Sequence, residues 1–351
     1  MLETVAFQVA GRILPHESCT LRESAEEAVR EASFVVPWAG AGIPCAPDEE
    51  AVITVSGDLW GTGYVRDVNA SHGEEDRIYT VTFVSRTCDA TECSVEHPTG
   101  LLKDVDITGI AEGFDTLGIG VESAVTTPKK PRHKLRPGET LFDTLETEAR
   151  ARGVLIHDTE RGKLKLADRP EGRHVGALRL GDNIKQASAT LSGEKRHSKV
   201  TVRGQAAEGT SGPVLSPEGE AEAPGLPRPR PLIIVHEGEI TSERAKKRAA
   251  WEAQRGVGNG VSCTITVPGW RDAGGRLWKR NFLVEVDDDW LGISGDMVIA
   301  SVTFAQDGTA EGTQAVISCK DPRALGGENP RGDSNAAWSA PAASEPVFRV
   351  N

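Results

Sequence analysis

The feature that most limits how this chain folds is a series of short stretches in which apolar and polar residues alternate. Over the first 86 residues these are TVAFQV (4–9), EASFVVPW (31–38), EAVITVSG (50–57), LWGTGYVRDV (59–68) and RIYTVTFVSR (77–86), all rich in Val, Thr, Ile, Phe and Tyr. In the last of them Ile78, Thr80, Thr82 and Val84 fall on one face and Tyr79, Val81 and Phe83 on the other, the period of two that a strand requires. Turn-forming residues separate the stretches, as at Ser56-Gly57-Asp58 and Ser71-His72-Gly73-Glu74. Strands this short and evenly spaced predict a small antiparallel barrel or sandwich.

From about residue 87 the texture changes. A basic connector, PKKPRHKLRPGET (128–140), ends in the turn Pro137-Gly138 and in Thr140, a candidate helix cap with Asp143 three residues later. The helix that follows places Leu141, Leu145 and Ala149 on one stripe and stops at Gly153. VLIHD and KLKLAD, joined by Thr159-Glu160-Arg161-Gly162, read as a hairpin. Together these predict an α/β unit over residues 99–190.

A second β-rich region begins near Asn183. Val200 and Val202 alternate with Lys199, Thr201 and Arg203, and an exposed Gly/Pro/Glu loop is expected over 208–231. ITSERAKKRAAWEAQRG (240–256) predicts a helix capped by Thr241 or Ser242 and ended by Gly256, with Arg244, Lys246, Lys247 and Arg248 on its polar face. Strands then follow at 262–267, with Cys263, Ile265 and Val267 on one face, and at 281–289, 297–306 and 313–321. Asp307-Gly308-Thr309 joins the last two as a hairpin. Residues 323–351, rich in Gly, Asn, Pro, Ala and Ser, predict an extended or disordered tail. The fold class is α+β, mainly β.

Forty Lys and Arg against 52 Asp and Glu leave a formal charge of −12, the opposite of a nucleic-acid footprint. No stretch approaches the roughly 20 apolar residues of a membrane span, and MLETVAFQVAG lacks a secretory pattern, so the expected place of synthesis is the cytoplasm. Cys19, Cys45, Cys88, Cys93, Cys263 and Cys319 show no CxxC spacing, so free, mostly buried thiols are expected, with Cys88 and Cys93 near enough to pair. No metal site is expected. Nucleophile elbows, HExxH, phosphate loops and dinucleotide fingerprints are absent, and Gly118-Ile119-Gly120 is a fragment in a connector. Glu49-Glu50, Glu74-Glu75-Asp76 and Asp287-Asp288-Asp289 sit at predicted turns, where they read as solvated charges and not as an acid/base pair. Arg331-Gly332-Asp333 reads as a chance tripeptide. Catalytic and cofactor residues are therefore not assigned. Trp251, Trp270, Trp278 and Trp290 are assigned to packing or interface use.

These residues, in this order, resemble the Mu-type, gpP-like baseplate hub family of contractile phages, related in architecture to the T-even hub and to the base of VgrG spikes. The resemblance runs over residues 4–322. It is carried by Ala32-Ser33-Phe34, Gly63-Tyr64-Val65 with Asp67-Val68, and Arg136-Pro137-Gly138-Glu139-Thr140-Leu141-Phe142-Asp143. Further matches are Gly181-Asp182-Asn183-Ile184, Arg196-His197-Ser198, Val202-Arg203-Gly204-Gln205, Trp251, Val267-Pro268-Gly269-Trp270 and Gly275-Arg276-Leu277-Trp278.

The resemblance implies two similar antiparallel β-barrel domains, at 1–98 and at 191–235 with 276–322. It also implies the α/β domain at 99–190, and a helix-strand segment at 236–275 inserted beside it. It implies a non-enzymatic virion structural protein, assembled in the host cytoplasm into the tail baseplate. Three copies would form a ring joining the sixfold tail tube, or its initiator protein, to the trimeric spike. Baseplate wedge proteins would be further partners, and genomic DNA would pass through without specific binding. The alternative is a peptidoglycan-binding wall protein or tail lysin, because Leu135–Phe142 also resembles the opening of a LysM module.

Overall fold

The computed structural model describes residues 3–40, 42–74, 77–205, 216–223, 226, 228–308 and 312–325. The first seven strands are β1 (Val5–Val9), β2 (Arg12–Leu14), β3 (Ser18–Ser24), β4 (Glu31–Val36), β5 (Glu50–Val55), β6 (Asp58–His72) and β7 (Arg77–Ser85). A middle unit follows: α1 (Cys88–Glu92), β8 (Leu101–Val105), α2 (Ile107–Phe114), β9 (Val121–Ser123), β10 (Lys130–Lys134), α3 (Leu141–Arg152), β11 (Leu155–Asp158) and β12 (Leu164–Ala167). Next come β13 (Gly172–Arg179), β14 (Gln186–Leu191), β15 (Lys199–Gln205), β16 (Glu218–Glu222), β17 (Pro231–Glu239) and α4 (Ser242–Gly258). The described part ends with β18 (Val261–Pro268), β19 (Phe282–Asp288), β20 (Ile293–Gln306), β21 (Thr313–Lys320) and a 3-10 turn at Pro322–Ala324. The chain is mainly β, as its alternating stretches require.

Thirteen strands share one sheet, in the order β14-β18-β21-β20-β3-β4-β7-β6-β5-β1-β2, with β19 branching from β20 and β13 from β19. Among the described residues the ladder does not return on itself. Its N-terminal and C-terminal parts meet at one seam, where β20 runs antiparallel to β3 with Phe304 opposite Leu21 and Val302 opposite Glu23. A single core lies under both parts. Phe7 and Phe34 stack within it at 4.1 Å, and Val81, Phe83, Cys263, Ile265, Val267 and Ile317 are all buried there. At β18 the alternation read from the sequence is the alternation of burial found; at β7 Val81 and Phe83 are buried as expected, but Val84, expected on the opposite face, is buried as well.

The middle unit has its own core of Ile107, Ile110, Phe114, Leu141, Leu145, Ile156 and Leu164. Helix α3 begins and ends where its sequence dictates. The Thr140 side chain accepts from the Asp143 backbone, Asp143 accepts in return from Thr140, and Gly153 ends the helix at φ 70°. β11 and β12 form the expected hairpin, with Leu155 opposite Ala167.

Strand pairing departs from the expected partition in three places. β13 pairs with β19 and β14 with β18, so the α/β unit ends at about Ala167, short of 190. β18 lies in the large sheet between β14 and β21, outside the segment expected to be set aside at 236–275. β15, β16 and β17 form a separate three-stranded sheet under α4, so most of 191–235 leaves the proposed second barrel.

The described part of the 208–231 loop also contains a strand. Glu218 and Glu220 of β16 pair with Arg203 and Lys199 of β15 at 3.2 and 2.6 Å, while Gly219 faces the helix. A Cβ at Gly219 would sit 2.1 Å from the Lys246 backbone nitrogen. Glycine is what lets α4 lie on this strand. Helix α4 starts at Thr241 as expected but runs past Gly256 to Gly258. The tail from residue 326, with Arg331-Gly332-Asp333, lies outside the described residues, as does Thr309 of the last hairpin.

Candidate functional site

Two clusters of charge tie the middle unit to the rest of the chain. At the first, Asp158 at the end of β11 accepts from Arg30 Nε at 2.6 Å and from Arg280 Nη2 at 2.6 Å. Glu23 of β3 lies 3.4 Å from both guanidinium groups and accepts the Arg280 backbone N–H at 3.1 Å. Two cations and two carboxylates, all buried, thus balance at the meeting point of β3, the β3–β4 turn, β11 and the approach to β19. Burial opposes the charge on Arg30, but Asp158 and Glu23 outweigh it and keep the group cationic. The same guanidinium donates to the Trp60 carbonyl and lies 5.1 Å from that indole.

Around this centre Glu160 bonds Lys279 at 2.8 Å. Burial raises the Glu160 pKa, yet Arg30 and Lys279 hold it down at about 2. Glu171 is likewise raised by burial and lowered further, to about 2, by His157 and Lys165. His174 donates from Nδ1 to Asp272 at 2.8 Å and accepts the Lys279 N–H on Nε2 at 3.0 Å. Burial lowers its pKa, and this bonding fixes the neutral tautomer.

The second cluster is unbalanced. Glu148 of α3 faces Lys130 at 2.5 Å, Arg152 at 3.2 Å, His133 at 3.6 Å and Arg244 of α4 at 4.0 Å. Burial raises its pKa, but the bonds from His133 and Lys130 outweigh that and keep it well below the carboxylate range. Beside it His236 of β17 is held to about 4, first by burial and then by Arg248 and Arg244. A polar cleft of about 470 Å³ opens here. It is lined by Arg136–Glu139, Asp143, Glu146, Thr147 and Arg150 from the middle unit and by Val235, His236 and Arg248 from the neighbouring one.

The four assigned tryptophans do not converge. Trp270 is 1% exposed and donates to the carbonyls of Ala305 and Gln314, pinning β20 and β21. Trp278 is buried 4.7 Å from the His174 ring. Trp251 is buried on α4 with the Arg255 guanidinium 5.0 Å from its ring. Trp290 stands 88% exposed in the β19–β20 turn.

Of the three acidic runs, Glu50, Glu74, Asp287 and Asp289 are exposed and Glu49 half-buried. Asp288 departs from the solvated reading, since it is buried and accepts the Leu291 N–H at 3.0 Å to close that turn. Glu75 and Asp76 lie outside the described residues. All six cysteines are free, and only Cys93 is exposed. Among the described residues, three or more His, Cys, Asp or Glu side chains nowhere gather as metal ligands would. The joint residues Glu23, Arg30, Asp158 and Arg280 carry no local sequence signal, because they come from four separate segments.

Residues 241–328 match the model of the Mu phage baseplate assembly protein GpP, fourth domain, and residues 87–168 match the baseplate hub protein gp44-like, second domain. The chain is 26% identical over 272 residues to the baseplate hub protein gp44 of Escherichia phage Mu, covering 74% of this chain and 72% of that one. Its fold superposes on the 43 kDa tail protein of prophage MuSo2 from Shewanella oneidensis with a TM-score of 0.80 and 30% identity, over 92% of this chain and 99% of that one. The chain belongs to the Mu-type baseplate hub family. A hub-family chain is a structural component of the phage tail. The second matched segment, 87–168, ends where the strand pairing ends the middle unit. An E. coli component of the type VI secretion system shares the fold alone, with a TM-score of 0.55 and 10% identity over 89% of this chain and 76% of that one.

Proposed function

We propose that three copies of this hub chain close into a ring that joins the tail tube to the spike, leaves a passage for the genome, and acts by shape without turning over a substrate. The observation that carries this is the seam between β3 and β20. It makes the N-terminal and C-terminal strand sets one continuous sheet over one core, locked from the side by the balanced cluster at Arg30 and Asp158. A chain with two β lobes held rigidly together gives six lobes in a trimer, and so matches a sixfold tube on one side and a threefold spike on the other. The strand pairing supports lobes of 5–85 and of 172–191 with 261–320, with the middle unit and the β15–β17/α4 unit outside them. Assembly takes place in the host cytoplasm, and wedge proteins bind the outer units.

Three copies carry 3 × −12 = −36 charges, and the passage is lined by acidic or neutral side chains, so that phosphate gains no counterion-release binding there. Trp290, a large exposed aromatic, serves as an anchor between chains. Light scattering on the purified chain should give a mass of three times 37.4 kDa, and electron micrographs should show a ring with a hole. A species that stays monomeric at high concentration, or that lyses cell walls, overturns this reading. A ring whose passage is net positive overturns the part concerning DNA.

A further inference from the structure

We propose that the basic ribbon of β8 and β10, with the cleft it leads into, docks an acidic segment of a second protein. The proposal rests on reading the chain as a subunit of a larger assembly. Residues 128–136 contain Lys129, Lys130, Arg132, Lys134 and Arg136 and no acid, in a chain of net charge −12. The ribbon treats its charges in two ways. Those turned toward α3 are compensated: Lys130 reaches Glu148 at 2.5 Å, and His133 bonds Thr144 at 2.8 Å. Of those turned to solvent, Lys129 pairs with Asp104 of β8 at 3.3 Å, but three others are not compensated. Lys103 and Arg132 stand directly opposite each other across the two strands, and Lys134 follows two residues along. All three are exposed, and their side chains have no hydrogen bond or ion pair among the described residues.

Like charges directly opposite each other weaken a strand pair, and a two-stranded ribbon has few other cross-strand contacts with which to offset that. Carboxylates laid over Lys103, Arg132 and Lys134 would remove the repulsion and gain three charge-assisted contacts. Past Lys134 the chain reaches Arg136 and the cleft of about 470 Å³, where Arg150, Arg248 and His236 stand among Glu139, Asp143 and Glu146. Those three carboxylates repel a polyphosphate. Among the described residues no Phe, Tyr or Trp lines the cleft to stack a base, as single-strand binders require. A mixed polar lining beside a cationic strip suits a polypeptide whose acids lie on the ribbon and whose amides and occasional base enter the cleft.

The test uses the full-length chain and a labelled peptide of about twenty residues, rich in glutamate. Duplex DNA of matched charge and vesicles of anionic phospholipid are run in parallel at low and moderate salt. The peptide should bind, weaken as salt screens the contact, and lose at least tenfold in affinity in the variant Lys103→Glu/Arg132→Glu/Lys134→Glu. A control with Arg179→Glu/Lys185→Glu on β13 and beside β14 should stay within twofold of the parent. Circular dichroism melts should show all variants folded.

Absent peptide binding, equal loss in the control, or tighter binding of DNA or vesicles through the same three cations each overturns the proposal. Light scattering on the same samples separates it from the ring. A monomeric parent that still binds peptide through the ribbon sinks the ring and leaves the docking strip standing. A trimer that ignores the peptide does the reverse.

Discussion

The middle unit is fastened twice, and the two fastenings are built on different principles. Toward the large sheet, Arg30 and Arg280 meet Asp158 and Glu23 in a buried group whose charges cancel. Toward α4, one carboxylate, Glu148, faces three permanent cations and a histidine, and two of those cations, Lys130 and Arg244, keep about 30% of their side-chain surface in water. A buried, balanced group fixes geometry because no member can leave without stranding a charge. An unbalanced group at the edge of a cleft tolerates change, since water and incoming anions can substitute for protein partners. The balanced fastening lies beside the seam of the sheet; the unbalanced one lies where a partner can reach.

The largest expected effect comes from breaking the balanced group. Asp158→Ala leaves two buried guanidinium groups with Glu23 as their remaining ion-pair partner and should cost about 3–5 kcal/mol, read as a lower denaturant midpoint. If the loss is under about 1 kcal/mol, the group is not what holds the unit to the sheet. Glu148→Gln strands cations that water can partly reach, so the expected loss is smaller, about 1–3 kcal/mol. A loss equal to that of Asp158→Ala would mean that the two fastenings hold the unit equally rigidly.

Acid should separate the groups further. Glu160 and Glu171 titrate at about 2 in the fold against 4.5 outside it, and Glu148 is depressed in the same direction. Each therefore contributes stability that is present above pH 4.5 and is lost as pH falls toward 2. His236 acts higher. Its folded pKa of about 4 lies below the ordinary 6.5, so between these values the unfolded chain binds the extra proton and stability falls as pH falls. Unfolding measured from pH 7 to 4 should show that slope, and His236→Asn should remove part of it. An unchanged slope would mean that neither burial nor the cations beside His236 hold its pKa down.

How much of this was legible in the sequence depended on whether the controlling residues were neighbours. Thr140, Asp143 and Gly153 delimit α3 by rules that operate within a few residues, and α3 begins and ends where they place it. Strand β7 was readable because five of its nine residues are apolar or aromatic. Strand β3, Ser-Cys-Thr-Leu-Arg-Glu-Ser, was not: it has only Cys19 and Leu21 to mark a face, and its partner β20 lies at the other end of the chain. Strand β16 was hidden in Gly/Glu-rich composition, because what makes it a strand is the pairing with Lys199 and Arg203 and the helix lying over Gly219. The joint was invisible for the same reason in stronger form, since Glu23, Arg30, Asp158 and Arg280 become neighbours only after four segments have packed.

The smallest expected effect tests the comparison from the outside. Lys103→Glu places an acid directly opposite Arg132 in the β8–β10 ribbon. An opposed like-charge pair becomes an opposite-charge pair, worth about 0.2–1 kcal/mol in a sheet. The isolated chain should therefore become slightly more stable at low salt, and the gain should shrink as salt screens it. Stabilisation by removal of a native cation is the signature of a residue kept for something other than the fold of the single chain. Destabilisation would mean that Lys103 already has a compensating partner in the free protein, and the outer face of the ribbon would then be as well balanced as the joint at Asp158.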